Sequence, residues 1–194
     1  METDQFYIDK ILANDTKAFT VLVNRYKNMV FTLTLQLLKN KEEAEEVSQD
    51  TFVKIFKHLD KFKGDSKFST WVYRIAYNSC LDRIKTYKKH RNTVGIDEFT
   101  ENQVKTMETA FDLMERSDRE ESVKECLKRM PEDDAVIITL FYFEELSLAE
   151  ISKVIGLDTN NVKVKLFRAR KRLATILKER LEPAILENYG QRNR

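Results

Sequence analysis

Apolar residues recur at steps of three and four positions along much of this chain, and this spacing limits what it can fold into. The clearest series is Phe19, Leu22, Val23, Tyr26, Val30, Leu33 and Leu37. Because an α-helix turns once every ~3.6 residues, such spacing places the side chains on one helical face. Only 4 glycines and 2 prolines interrupt the 194 residues, while 34% of them are charged. This composition predicts an all-α protein whose helices have solvated outer faces.

Two further helices are predicted in the N-terminal half. One runs from about residue 41 to residue 59, and its first turns carry four glutamates between positions 42 and 46, where acids suit the positive end of the helix dipole. The next begins near Ser69, directly after the helix breaker Gly-Asp-Ser at residues 64–66. Short connections between such helices favour a compact bundle.

A helix-turn-helix is predicted near the C-terminus. Ser147 and Glu150 have the spacing of a capping box, which opens a helix. That helix ends at Gly156, and a longer one runs from Thr159 to at least Leu177. Between these last two residues there are six Lys and Arg and no acid. A short helix, a glycine turn and a long basic helix are the arrangement that places a recognition helix in the major groove.

Charge divides the chain into regions. Between residues 61 and 91 there are nine Lys and Arg against two acids, whereas between residues 97 and 121 there are nine acids against three bases. Two basic blocks separated by an acidic stretch indicate two nucleic-acid surfaces and a connector. We therefore predict two small helical domains, joined by an acidic flexible linker and followed by a short tail, over residues 1–90, 91–118 (the linker), 119–180 and 181–194 (the tail). Within the second domain, residues 135–143 are apolar nearly all round and predict a buried helix.

Aromatic and basic residues alternate between residues 62 and 89. Cations hold phosphates and aromatic rings stack on bases that have left the duplex, so this segment indicates contact with single-stranded DNA. The small polar side chains of residues 63–67 are suited to hydrogen-bonding a flipped base. Two interpretations stay open, because Phe68 and Trp71 also fit a core and the cations also fit a duplex-binding face. The side chains that are harder to place in a core lie on the other side of the helix: Tyr73, Arg74, Tyr77 and Asn78.

Nothing in the sequence indicates a catalytic, metal or cofactor site, so we expect no enzyme, no cofactor and no small-molecule substrate. Cys80 and Cys126 lack a metal-binding spacing and are expected to be small buried thiols. His58 and His90 have no cysteine or acidic cluster at ligand spacing, and we find no nucleophile–base arrangement and no glycine-rich phosphate loop. The N-terminal residues are polar, and no apolar run approaches the ~20 residues of a membrane-spanning helix, which predicts a cytoplasmic protein.

Three segments of the chain resemble bacterial sigma factors of the extracytoplasmic-function group, in the order in which that family carries them. Residues 43–52 (EAEEVSQDTF) resemble its polymerase-binding helix, and residues 68–78 (FSTWVYRIAYN) resemble its promoter-melting, −10-reading segment. Residues 146–152 (LSLAEIS) and 161–170 (NVKVKLFRAR) resemble its −35-reading helix-turn-helix. The resemblance extends roughly from Phe19 to Leu177.

This resemblance implies a transcription initiation factor that directs core RNA polymerase to promoters. It implies contacts with promoter DNA and with the largest and second-largest polymerase subunits, and an anti-sigma factor as a partner that can hold the protein near the membrane. The implied polymerase-binding residues are Glu46, Gln49, Asp50 and Val53. The implied −10 residues are Lys63, Asp65, Ser66, Lys67, Phe68, Trp71, Arg74 and Asn78. The −35 residues are Asn160, Asn161, Lys163, Val164, Phe167, Arg168, Arg170, Lys171 and Arg172, of which the last three suit phosphates rather than base edges.

Two other classes of protein are compatible with the residues alone. A stand-alone helix-turn-helix regulator would dimerise and bind dyad-symmetric operators without polymerase. An interaction adaptor with incidental basic faces would show no steep salt dependence of DNA binding.

Overall fold

The computed structural model of the protein describes residues 2–88, 123 and 125–192, so the predicted linker at 91–118 lies outside the described residues. The described residues form helices and no strand, which confirms the all-α prediction. In chain order the helices are α1 (Asp4–Leu12), α2 (Phe19–Leu38), α3 (Lys41–Lys57), α4 (Phe68–Lys88), α5 (Glu132–Ile138), α6 (Leu148–Ile155) and α7 (Thr159–Arg192). Among them no helix is both long enough and apolar enough to cross a lipid bilayer.

Helices α1 to α4 make up the N-terminal unit. The apolar series that predicts α2 lies in the core, with Leu22, Val30, Leu33 and Leu37 all buried. The turn that follows α2 is tight, because Lys39 adopts a left-handed φ of 53° and Asn40 caps α3 by accepting a hydrogen bond from the next turn. This turn brings α3 back against α2, and α4 packs on both helices.

The C-terminal unit contains the predicted helix-turn-helix. Ser147 and Glu150 form the capping box of α6, which ends at Gly156 with a left-handed φ of 72°. The side chain of Asp158 then caps α7 by accepting hydrogen bonds from the backbone N–H groups of residues 160 and 161, both at 3.0 Å. α7 continues to Arg192, through most of the residues that the sequence assigns to a tail.

The buried helix predicted at residues 135–143 is buried only in its first part. Residues 135–140 are buried, whereas Tyr142 and Phe143 are 48% and 44% exposed. The backbone changes from α to π spacing over Thr139–Phe143. Since a π turn contains more residues than an α turn, the helical face is shifted there and the last two rings turn to the surface.

The two units pack directly against each other. The Thr139 hydroxyl donates to Gln36 Oε1 at 2.9 Å, and Lys39 Nζ lies 3.1 Å from the Met130 carbonyl oxygen and 3.2 Å from Glu132 Oε1. α4 also packs along α6, so the buried side chains of both units form one cluster. The sequence predicted two domains but gave no sign of this contact between them.

Candidate nucleic-acid interface

One face of α3 is exposed and carries the four residues expected to bind polymerase. Ala44, Val47 and Ile55 turn inward, which leaves Glu46, Gln49, Asp50 and Val53 together on the outer face. Val53 is 50% exposed, an apolar side chain within a polar surface. Arg83 of α4 lies 2.7 Å from Glu46, and its hydrogen bond and charge lower the pKa of that carboxyl.

The loop before α4 projects from the N-terminal unit. Gly64 has a φ of 77° and open space where a Cβ would lie, so this position needs glycine for its backbone angle rather than for room. Lys63, Asp65 and Lys67 around it are exposed and Ser66 is half-buried. The loop therefore presents polar side chains and backbone groups at the surface.

Phe68 anchors this loop in a cluster of aromatic rings. Its ring is 4% exposed and its centroid lies 5.5 Å from that of Tyr26, 5.2 Å from that of Phe62 and 5.6 Å from that of Trp71. In this structure Phe68 is thus part of the core, one of the two interpretations that the sequence left open. Tyr26 in turn donates a hydrogen bond of 2.5 Å to Asp4 of α1, which ties the first helix to the cluster.

The residues of α4 that the sequence set apart from its apolar line divide into an exposed group and a buried group. Trp71 is half-buried and Arg74 and Asn78 are exposed, so these three expected −10 residues lie on an accessible row. Tyr73 and Tyr77, which the sequence made harder to place in a core, are 2% and 7% exposed. That expectation was wrong because the C-terminal unit packs over this side of α4, a contact that helical periodicity does not report.

The outer face of α7 carries most of the expected −35 residues. Asn160, Asn161, Lys163 and Arg168 are exposed, and Val164 and Phe167 are 48% and 38% exposed between them. The inner face of α7 is formed by Val162, Leu166, Ala169 and Leu173, which are buried. The exposed row combines amide, cationic and apolar side chains, the types that read base edges in a major groove.

Two further cations of α7, Arg170 and Lys171, contact aromatic rings of the protein. The Arg170 guanidinium packs over two adjacent rings, with its Cζ 5.0 Å from the Phe141 centroid and 5.2 Å from that of Tyr142. Lys171, only 6% exposed, has its Nζ 4.8 Å above the Phe167 ring. The two cations expected to hold phosphates thus lie against aromatic side chains of the protein itself.

Acids of α5 pair with other cations of α7. Lys165 Nζ lies 2.8 Å from Asp133 Oδ2, and Arg172 pairs with Asp134. Burial raises the pKa of Asp134, and the nearby Arg172 opposes that rise. Sequence reasoning missed these pairs because it compared charges only within α7, although the acids in the first turn of α5 were a visible signal.

Each of the two units matches the model of a known protein family. Residues 22–90 match the model for sigma-70 region 2, and residues 120–173 match the model for sigma-70 region 4. The RNA polymerase sigma-H factor of Pseudomonas aeruginosa is 30% identical over 189 residues, 94% of this chain and 98% of that protein. The ECF RNA polymerase sigma-E factor of Escherichia coli K12 is 30% identical over 175 residues, 87% of this chain and 91% of the relative. The chain belongs to the extracytoplasmic-function group of the sigma-70 family.

This sigma factor therefore directs core RNA polymerase to promoters for initiation of transcription. Two solved structures share its fold. CnrH in complex with the cytosolic domain of CnrY has a TM-score of 0.62 and 21% identity over 92% of this chain and 99% of the other. RpoE of Bartonella quintana in complex with the anti-sigma factor NepR has a TM-score of 0.61 and 20% identity over 84% and 98%. At these identities, the two structures show the shared helical fold alone.

Proposed function

We propose that this sigma factor divides promoter recognition between α7, which reads the −35 element, and the segment of residues 63–78, which holds the opened −10 element. The observation that supports this most strongly is the contrast along α7. Lys165, Arg170, Lys171 and Arg172 are paired or stacked within the protein, whereas Lys163 and Arg168 are exposed beside Val164 and Phe167. Exposed cations and apolar groups on one recognition helix suit guanine edges and thymine methyl groups.

For the −10 element, we propose that the loop at residues 63–67 receives an unpaired base and that Trp71, Arg74 and Asn78 contact the same strand. The exposed Lys63 and Lys67 supply charge for the phosphates. Phe68 supports the loop from the aromatic cluster. Because these groups favour unpaired DNA over the closed duplex, their binding energy shifts the promoter toward its open form.

We also propose that the exposed row Glu46, Gln49, Asp50 and Val53 docks on the largest polymerase subunit, with further contacts to the second-largest subunit. An acidic row with one apolar residue complements a basic helical partner. Polymerase then carries out the chemistry, and we propose no enzymatic activity for this chain. We place it in the cytoplasm, where core polymerase is, and propose an anti-sigma factor as its regulatory partner, since the structurally similar RpoE binds one.

The test is run-off transcription with purified core polymerase on a promoter library, with and without this chain. On a selected promoter, Trp71→Ala with Asn78→Ala should reduce initiation strongly from duplex DNA and little from a template opened at −10. The matched variant, Gln49→Ala with Val53→Ala, should reduce both equally, because it weakens polymerase docking instead. Equal loss on both templates for the Trp71 and Asn78 variant would contradict the −10 assignment, and initiation that does not depend on the chain would contradict the function.

A further inference from the structure

A carboxylate in the first turn of α1 has two partners on α2. This residue, Asp4, lies outside the residues that match sigma-70 region 2. One of its oxygens accepts a hydrogen bond of 2.5 Å from the Tyr26 hydroxyl, and the other pairs with Arg25. The side chains of Arg25 and Asp4 are 24% and 25% exposed, so these bonds are partly shielded from water and stronger than those of a surface pair.

The rest of α1 fixes the position of this turn. Ile8 and Ile11 are buried in the core, and Thr3 caps the helix by accepting a hydrogen bond from a backbone N–H of the first turn. α1 packs on α2 and on the short turn Leu59–Lys61, which comes just before the loop that precedes α4. Asp4 is therefore held by a packed helix next to the segment that we assign to the −10 element.

Tyr26 joins this carboxylate to the aromatic cluster. Its ring is buried and meets the Phe68 ring edge-on, with the centroids 5.5 Å apart. Burial, and then the bond to Asp4, raises the pKa of Tyr26, which keeps its hydroxyl a donor. Because the hydroxyl lies at the tip of the side chain, this bond restrains the tilt of the whole ring. An edge-to-face contact depends on that tilt, so the bond also restrains Phe68.

Phe68 in turn sets the geometry of the loop. Phe62 and Phe68 stand at its two ends, and their ring centroids are 5.2 Å apart. Trp71, which we expect to contact the captured strand, has its ring centroid 5.6 Å from those of both phenylalanines. The three rings thus determine the separation of the loop ends and the direction of the Trp71 ring. A displacement of about 1 Å in such a supporting shell is enough to weaken a binding site strongly.

We propose that Asp4 is a positioning residue for capture of the −10 base: through the Tyr26 hydroxyl it holds Phe68, and with it the loop and Trp71, in the arrangement that binds unpaired DNA. Asp4 acts through these side chains and does not itself contact DNA. Because α1 orders the cluster before DNA arrives, less ordering is needed when the strand is captured. This inference rests on the −10 assignment above, but the position of the cluster can be measured without DNA.

The first test uses the fluorescence of Trp71, since the chain contains one tryptophan and it lies in the cluster. Tyr26→Phe removes the hydroxyl and keeps the ring, and Asp4→Ala removes the acceptor. Arg25→Met is the matched control, because it removes the ion pair with Asp4 and leaves the Tyr26 bond. Tyr26→Phe and Asp4→Ala should each raise acrylamide quenching of Trp71 about two-fold, whereas Arg25→Met should stay close to the wild type. Circular dichroism checks that each variant is folded.

The second test asks whether Asp4 acts through the hydroxyl and whether base capture depends on it. Two partners of one bond are not additive, so Asp4→Ala combined with Tyr26→Phe should change quenching little more than either alone. With core polymerase, each of these variants should reduce initiation from a duplex promoter about five-fold and much less from a template opened at −10. A general loss of stability or of polymerase docking would instead reduce initiation from both templates alike.

Unchanged quenching in Tyr26→Phe and Asp4→Ala would overturn the proposal, as would equal changes in all three single variants, which would indicate a general anchor for α1. Additive effects in the double variant would also overturn it, and so would altered quenching with equal losses on the two templates. Failure of the wild-type chain to initiate with core polymerase contradicts the proposed function, whereas normal wild-type initiation with unchanged quenching in the variants contradicts only the role of Asp4.

Discussion

Arg168 and Arg170 are two positions apart on one helix and lie in opposite surroundings. Arg168 is exposed on the outer face of α7, and the Arg170 guanidinium packs over the rings of Phe141 and Tyr142. The first is placed to contact a ligand, whereas the second joins the recognition helix to the segment before the helix-turn-helix. A guanidinium stacked on aromatic rings stabilises the protein by roughly 0.5–2 kcal/mol. The same residue type therefore has a proposed binding role at one position and a structural role at the other.

These surroundings predict opposite effects for the same substitution. Arg170→Ala should lower the free energy of unfolding by about 1–3 kcal/mol, because it removes the guanidinium that packs over the two rings. Arg168→Ala should leave stability within about 0.5 kcal/mol and weaken discrimination among −35 variants by about 1–3 kcal/mol. Urea unfolding and competition binding to −35 duplexes in the polymerase complex measure the two effects. Equal stability of the two variants would contradict the structural role of Arg170.

At the scale of elements, α6 is short and depends on its ends. Glu150 Oε2 accepts hydrogen bonds from the Ser147 N–H at 2.9 Å and from its hydroxyl at 2.8 Å, while Oε1 faces Lys67. The backbone bond from Ser147 is the main cause of the lowered pKa of Glu150, and Lys67 adds to it. One carboxylate thus caps α6 and connects it to the loop before α4.

Two substitutions separate these roles. Glu150→Gln keeps a side chain that can complete the capping box and removes the charge, whereas Glu150→Ala removes both. We expect Glu150→Ala to lower stability by about 1 kcal/mol and Glu150→Gln by less. Because the folded-state pKa of Glu150 is lowered, its ionic contribution is present above the unfolded value of 4.5 and is lost as pH falls through the folded one. Thermal unfolding at pH 7 and pH 3.5 should therefore show the wild type and the Gln variant converging at low pH, and a constant difference would contradict this.

For the whole molecule, the contact between the units decides which surfaces are accessible. It buries Tyr73 and Tyr77 and leaves the outer faces of α3 and α7 exposed. Burial, and then the charge of Asp133 on the opposite unit, raises the pKa of Tyr77 from 10.0 to about 12. The Tyr77 phenol ionises less readily when the two units are packed together. Alkaline pH therefore weakens the packing of the units.

The direction of this coupling follows from the raised pKa. Stability from Tyr77 is complete below the unfolded value of 10.0 and is lost as pH rises toward about 12, because the unfolded chain releases the proton first. Between pH 9 and pH 11, wild type should lose about 1 kcal/mol more than Tyr77→Phe, since phenylalanine has no proton to release. Urea unfolding at the two pH values measures this difference. Identical losses would mean that Tyr77 is not buried in solution.

The sequence by itself indicated helices α2 to α7, the caps of the helix-turn-helix and the family. The three- and four-residue spacing, Gly64, Gly156 and the Ser147–Glu150 box are local signals, because each depends on residues within one or two turns of a helix. The exposed rows of α3 and α7 follow from the same periodicity once the apolar face is known. The structure retains these features because the helices pack through the apolar faces that the three- and four-residue spacing indicates.

Only the tertiary structure decided which polar and aromatic side chains have partners inside the protein. Tyr77 with Asp133, Arg172 with Asp134 and Lys153 with the Asp65 carbonyl join residues far apart in the chain. Spacing along one helix carries no information about the charge on another. A helix face that the sequence indicates as solvated, such as that of Tyr73 and Tyr77, therefore becomes buried when the second unit packs on it.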